Sequence, residues 1–514
     1  MSLRLDKRWL WLLGVFLIAV VLRLPALEML IDNDGGARAY HARLILAGET
    51  LYGSHHTGHH LPAIYYTYAL AMSLFGDTPW AIQFLLLLWT LPTVYFLYRL
   101  AYELTADWGT AVLAALFYAI LSAHLQLWGQ TAETELFANL FRITAVWLLV
   151  VLLKQQKPAW QFVGVGLLAA GAFLYKLIYL SPLAVAGLAL LVTWYRERHA
   201  INFWQWVWPR GGWLAAGFVS GLMPVVLYFA TQGLLDRLLL VFTLGQAYGA
   251  ETSLNPEVAS GALRWLLYPL LPLFGLGLNN AALLMFSLAA ALLIVRNKAL
   301  RRSPLLWLLL WYLLSFVEAG INLELFAHYY LLIVPPLAIL AAWFLRRLYR
   351  DLLVANKKVW ATAVFSTLLI ISLGISAWEN GPYWRQYLRY ETGIISREEF
   401  VALGWPSFGP RLTRVAALAQ FVAAQTEPDA RIYYWSEDVQ LYYLTDRRPP
   451  IDMIWPIDIA ASGPPQRVFK PQTHLIIIDQ RREPAPPDWF MAELAAHYAL
   501  EAAFDEQVIY RRVE

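Results

Sequence analysis

WLWLLGVFLIAVVLRLPALEMLIDNDGGARAYHAR, residues 9–43, holds the two features that decide the fold. From Trp9 to Leu27 the chain is almost wholly apolar behind a basic head of Arg4, Lys7 and Arg8. That run is long enough to cross a hydrocarbon layer of about 30 Å. It is also long for the apolar core of a signal peptide, and no small-residue cleavage site follows it, so it is expected to stay as a first span. The chain then turns polar over residues 29–62, with Asp32, Asp34 and four histidines at 55, 56, 59 and 60. An acidic loop at the first exit from a membrane is where chemistry is expected.

The rest of the chain repeats the apolar theme. Of its 514 residues 59% are hydrophobic and only 15% charged, with a mean hydropathy of +0.50. Average soluble domains carry roughly 25% charge, so the class is a polytopic membrane protein. Its 24 Trp and 28 Tyr suit several interfacial belts. The net charge of +3 gives no sign of a nucleic-acid partner, and the absence of cysteine removes disulfides, thiolate metal sites and cysteine nucleophiles.

Further apolar runs lie at about 80–98, 109–126, 134–153, 159–175, 178–195, 211–231, 281–295, 304–322, 328–345 and 359–378. Two shorter stretches, 62–76 and 263–278, are ambiguous. With eleven spans, nearly every basic cluster falls on one side: Arg99; Lys154 and Lys157; Arg196, Arg198 and Arg210; Arg296 to Arg302; and Arg346 to Lys358. The positive-inside rule makes that side cytoplasmic. Thirteen spans would invert the middle of the chain. Both counts are odd, which puts the N-terminus inside and the C-terminal region outside. Beyond residue 378 the composition grows more charged and proline-rich. Residues 379–410 read as an interfacial linker. Residues 411–514 read as a small α/β domain, with strands at RIYYW (431–435) and THLIIID (473–479) and helices at about 411–425 and 490–503.

The outer loops hold the unusual polar groups. Asp34, ahead of a helix at about 36–47, is either a helix N-cap or a carboxylate facing a cavity. Glu133 and Glu135 enter an apolar helix, where carboxylates face a cavity or a partner, and Arg142 is a candidate partner. Lys176 either snorkels to headgroups or holds an anionic ligand. His328 opens a span, where a structural role is the commoner one. In HHTGHH the pairs His55/His59 and His56/His60 would suit a metal on a helix, but Gly58 and the loop setting argue against it. No Walker loop, GxGxxG, HExxH or GxSxG is present.

Taken in order, these positions resemble the integral-membrane glycosyltransferases of the GT-C fold, in the family 39 and protein-mannosyltransferase-like branch that includes the bacterial aminoarabinose transferases. The resemblance rests on Asp34, AYHAR (39–43), GETLY (48–52), HHLP (59–62), IYYTYAL (64–70) and LFG (74–76). It continues through TELF (134–137), Lys176, HYYLLIVPPLAIL (328–340) and the tail sequences IYYWSED and LYYLTDRRPP. Where that branch has an acidic residue and a lysine before its prolines, this chain has Gly58 and His60, and Leu61 replaces the first proline.

The resemblance implies an all-α polytopic membrane domain (1–378) of about 11–13 transmembrane helices with a small C-terminal α/β extracytoplasmic domain. It implies transfer of a sugar from a polyprenyl-phosphate donor to a lipid, glycan or protein acceptor at the outer face. Asp34 is then the base, with Asp32 and Glu135 beside it in the catalytic set. Lys176, His328, His60, Arg38, Tyr40, Glu133 and Tyr329 bind substrate or the donor phosphate. No metal is required, although Mg²⁺ or Mn²⁺ is allowed. A transporter or flippase of lipid-linked glycans would show repeated halves and broken midplane helices, which the sequence lacks. A glycan polymerase or ligase using a diphosphate-linked donor is the nearer alternative.

Overall fold

The computed structural model describes residues 7–199, 202–251, 271–321, 326–462, 464–481 and 485–513. In chain order the helices are α1 (Lys7–Val21), α2 (Asn33–Leu46), α3 (Ala63–Phe75), α4 (Pro79–Thr105), α5 (Trp108–Ser122), α6 (Thr134–Lys154), α7 (Phe162–Phe173), α8 (Ser181–Glu197), α9 (Phe203–Thr231), α10 (Leu235–Glu251) and α11 (Leu271–Arg296). They continue as α12 (Leu305–Gly320), α13 (Val334–Val354), α14 (Lys358–Glu391), α15 (Arg397–Gly404), α16 (Gly409–Gln425), α17 (Gln440–Thr445), α18 (Pro456–Ser462) and α19 (Asp488–His497). Four strands, β1 (Arg431–Trp435), β2 (Thr473–Asp479), β3 (Tyr498–Phe504) and β4 (Gln507–Arg512), form one sheet.

Among the described residues five helices are long and apolar enough to cross a membrane: the Trp9–Glu28 segment, α4, α6, α9 and α14. Five more are apolar but shorter, among them α3, which is the ambiguous stretch at 62–76. The other ambiguous stretch, 263–278, falls outside the described residues up to residue 270.

The chain gathers into two units. One takes Met1–Leu27, Gln83–Leu227 and Thr252–Trp384; the other takes Glu28–Ile82, Tyr228–Glu251 and Arg385–Glu514. In the first, a buried arginine on α6 organises four elements. Arg142 donates to Asn139 (2.7 Å), the Leu332 carbonyl (3.0 Å), Ser181 and Ser315 (3.2 Å each) and Glu318 (2.5 Å). Asn139 holds the Leu331 carbonyl at 3.0 Å. These bonds fasten a 3₁₀ turn, Ala327–Leu332, to α6. The expected span at 328–345 therefore begins with that turn. The helix proper starts at Val334, because Pro335 and Pro336 supply the fixed φ that suits a first helical turn and lack the N–H that would extend it backwards.

The second unit holds the sheet, ordered β1-β2-β4-β3, with β1 parallel to β2 and the other pairs antiparallel. Strand β2 is buried at six of its seven positions, as its continuous apolar run requires. The expected helix at 490–503 splits, because the chain leaves α19 at His497 and becomes edge strand β3. Residues 379–410 contain the end of α14 and then α15, which opens with a Ser396/Glu399 capping box. The tail is fastened to the acidic-loop helix α2 at several points. Gly36 of α2 lies so close to Gln440 that a Cβ there would sit 2.1 Å from the Gln440 Cβ. Arg43 donates to the Tyr443 carbonyl (2.8 Å) and to Asp77 (2.6 Å), while the Tyr443 hydroxyl also donates to Asp77 (3.0 Å). Arg448 pairs with Glu49.

Candidate active site

The candidate residues of the second unit sit on α2 and the loop after it. Asp32, not Asp34, is the helix cap. Its backbone is extended and its Oδ1 accepts from the Gly35 N–H at 2.7 Å. The helix therefore starts at Asn33, three residues ahead of expectation, and Asp34 is released from capping. Asp34 Oδ2 accepts from Arg38 Nη2 at 2.8 Å, one helical turn on. The Asp34 side chain is 23% exposed and that of Arg38 only 5%, so the guanidinium orients a carboxylate that solvent can still reach. Ahead of the loop, Arg397 of α15 holds the Glu28 carbonyl at 2.8 Å, which fixes where α2 begins. Tyr40 is buried against His41 and Tyr442.

The histidine loop is not a helix. Gly58 has φ +67°, and any side chain there would collide with the Asp458 carboxylate. That carboxylate faces His59 Nδ1 at 3.2 Å. His56 is fully engaged: its Nδ1 accepts from the Gly58 N–H (3.0 Å) and its Nε2 meets the Arg237 carbonyl (2.9 Å). The His60 carbonyl accepts from the Tyr52 hydroxyl (2.9 Å) and from Thr57 (2.8 Å), and its ring lies against that of His59. His55 meets a partner the sequence did not single out, His41, with 2.8 Å between their Nδ1 atoms. Burial pushes the His55 imidazole down to about 4, and His41 also lies well below its usual value, chiefly through burial and then through the neighbouring His55. Both rings are therefore neutral at pH 7, one giving and one receiving the shared proton.

The first unit holds a denser group. Glu133 stands at the N-cap of α6 and Glu135 in its first turn. With His328 they bring one ligand atom each to within 4.8 Å of one another, all three side chains buried. Among the described residues this is the one set of three acidic or imidazole groups close enough to share a metal ion. Glu135 Oε1 accepts from the Tyr179 hydroxyl at 2.6 Å and lies 3.8 Å from Lys176 Nζ. Lys176 rests 3.8 Å above the Tyr329 ring, which in turn meets His328 edge-on. Glu135 Oε2 and His328 Nδ1 have no hydrogen-bond partner among the described residues. Two buried carboxylates this close repel unless a cation lies by them. Carboxylate oxygen with imidazole nitrogen is a donor set that suits a divalent ion.

Arg142 is not the partner of Glu133 or Glu135. Its carboxylate is Glu318, a residue the sequence reading passed over. A lone glutamate inside LLWLLLWYLLSFVEAG was the available signal, since an intramembrane charge demands a partner. Tyr179 and His41 carried no such signal.

Comparison with known proteins bears on this geometry. A family model, dolichyl-phosphate-mannose-protein mannosyltransferase, matches residues 59–209. No curated protein matches the chain. Among solved structures, ArnT from Cupriavidus metallidurans bound to undecaprenyl phosphate superposes with a TM-score of 0.60 at 15% identity, covering 98% of either chain. The Archaeoglobus fulgidus oligosaccharyltransferase with Zn and sulfate gives 0.54 at 16% identity over 91% of this chain and 68% of that one. AglB from the same organism, with an inhibitory peptide and a dolichol-phosphate, gives 0.53 at 13% identity over 99% and 74%. The chain therefore has the GT-C fold, an α-helical membrane domain with a small C-terminal sheet domain, as the sequence resemblance implied.

Proposed function

We propose that this chain is a membrane glycosyltransferase that moves a sugar from a polyprenyl-phosphate donor onto the hydroxyl of an acceptor, with inversion at the anomeric carbon. One observation carries the reading: a GT-C fold that presents an accessible, arginine-oriented carboxylate, Asp34, just after its first apolar helix. The acceptor hydroxyl holds its proton far above pH 7 and needs a base within hydrogen-bond reach. Arg38 occupies Asp34 Oδ2, which leaves Oδ1 to take that proton. The acceptor oxygen forms its bond to the anomeric carbon as the bond from that carbon to the phosphate oxygen breaks, and polyprenyl phosphate leaves with its electron pair. Within the first unit, Lys176 offers a cation and His328 a hydrogen-bonding imidazole of the kind a departing phosphate needs, with Tyr329 holding Lys176 in place. Within the second unit, His60 and Arg38 are the corresponding candidates for binding substrate. Asp32 acts by setting the start of α2, and Tyr40 by packing.

Glu133, Glu135 and His328 would hold a divalent cation if one is used, and its chemistry would be to neutralise charge on the departing phosphate. The chain's own residues supply the base and the fixed cations in either case. The acidic loop and the tail, residues 411–514, face the extracytoplasmic side, with the basic loops and the N-terminus in the cytoplasm.

The test is transfer of radiolabelled sugar from a panel of polyprenyl-phosphate donors by purified protein, native against Asp34→Asn. Transfer by the native chain that falls about a hundredfold or more in the variant supports the enzyme and its base together. Equal transfer by both would reassign the base to Asp32 or Glu135. Transfer only from a diphosphate-linked glycan would make the chain a polymerase or ligase.

A further inference from the structure

An unexplained feature of the first unit lies at the other end of α6 from its carboxylates. Glu135 opens the helix and Lys154 closes it, so at 1.5 Å per residue they stand about 28 Å apart, roughly the thickness of a hydrocarbon core. Around Lys154 a half-open cleft of about 720 Å³ is formed with the end of α8 and the start of α12. Lys154, Arg196, Arg198 and Arg302 line it, against a single carboxylate, Glu197. Lys154 is spoken for by Glu103 at 3.0 Å. Arg196 donates to the Arg301 carbonyl, and among the described residues no carboxylate forms an ion pair with Arg196, Arg198 or Arg302. Burial, and then the like charge of Arg302, hold the Arg196 guanidinium below the usual arginine range.

Three arginines gathered against one carboxylate leave an excess of like charge, a cost unless something anionic joins them. The aromatic surroundings indicate its depth. Arg196 lies over the Trp307 ring, 5.5 Å from its centroid, and Arg198 over Tyr195 at 4.3 Å. Beside the cleft, the start of α9 projects Trp204 and Trp208, 67% and 64% exposed, and its Phe203 packs on Trp194 of α8. Exposed tryptophans in this density mark the level of lipid headgroups.

We propose that this cleft binds the phosphate-bearing headgroup of an anionic phospholipid, with Arg198 and Arg302 on the phosphate and Tyr195 and Trp307 beside the glycerol. The site is separate from the sugar-transfer chemistry and rests only on the chain being a membrane protein. Basic pockets at helix ends are a recurrent way of holding acidic lipids, and guanidinium groups match phosphate in a way ammonium groups do not.

The experiment is native mass spectrometry of the detergent-purified full chain titrated with phosphatidylglycerol, phosphatidylcholine or inorganic phosphate. The expected result is saturable retention of phosphatidylglycerol, weakened about tenfold or more in the Arg198→Gln/Arg302→Gln double variant. Both side chains are exposed, so the variant should elute as native protein does. Lys357→Gln/Lys358→Gln, which removes two cations outside the cleft, should leave retention unchanged, and Arg198→Lys/Arg302→Lys should recover part of it. Equal retention of the two lipids, or an unchanged double variant, would overturn the proposal. Displacement of the lipid by millimolar inorganic phosphate would assign the cleft to a soluble phosphate compound and overturn the lipid assignment.

Discussion

The two groups of charged residues are built in opposite ways. In the first unit a charged pair is buried and fixed by its neighbours: Arg142 is 0% exposed and meets five acceptors, and Glu318 answers its charge. In the second unit two buried imidazoles, His41 and His55, are neutral, and the Asp34 carboxylate is left accessible beside one arginine. Buried charge that must stay charged needs saturation by hydrogen bonds. A group that must take and return a proton needs the reverse, an open side. The first arrangement suits holding an anion or a metal ion, and the second suits a base.

Removing Glu318 attacks that contrast hardest. Glu318→Leu leaves Arg142 charged and unanswered in an apolar interior, and should destabilise the protein by about 3–5 kcal/mol. Thermal unfolding followed by size-exclusion fluorescence would read this, and a native-like midpoint would mean Arg142 is satisfied without it. Asp34→Asn should instead leave the melting midpoint near native while activity falls about a hundredfold, equivalent to roughly 2.7 kcal/mol in the barrier. If stability falls as much as activity, Asp34 belongs with the static charges.

Acidification separates the units by mechanism. His55 titrates near 6.5 when unfolded and at about 4 when folded, so the unfolded chain binds the extra proton between those values. Its contribution is intact above pH 6.5 and declines as pH falls toward 4, by about 2 kcal/mol at pH 5. The melting midpoint measured at pH 7.5 and 5 should therefore drop, and His55→Asn should flatten the slope. The smallest effect concerns the clasp on α2. Tyr443→Phe loses its bond to Asp77 and should cost about 1 kcal/mol, seen as faster hydrogen exchange in α2. An unchanged exchange pattern would show that Arg43 holds the clasp alone.

How much of this was legible follows from what each contact depends on. Strands β1 and β2 show in the sequence because RIYYW and THLIIID carry their own apolar pattern. The acidic loop is legible because it interrupts apolar runs. Partners are another matter. Arg142 and Glu318 are 176 residues apart, Arg43 and Tyr443 400 apart, and His59 and Asp458 399 apart. Nothing local distinguishes Glu318 from Arg142's nearer candidates at 133 and 135. The cap on α2 was misplaced by two residues because Asp32 and Asp34 have equal local claims, and only the backbone at Asp32 decides between them. Gly58 reads as a helix breaker, but its reason for being glycine is a carboxylate from the far end of the chain.

That the loop and the tail form one unit also has a consequence in time. The ribosome completes Ile82 about 300 residues before it reaches Arg385, where the tail begins to contribute to the same unit. At about 5–20 residues per second that interval is roughly 15–60 s. During it Gly36, Arg43 and Glu49 are already made while Gln440, Tyr443 and Arg448 are not. A nascent chain arrested before Arg385 should show α2 open to protease, closing only on release of full-length protein. On the function proposed above the chain would be born inactive: Asp34 is among the first residues made, and the part of its unit that packs on α2 is among the last.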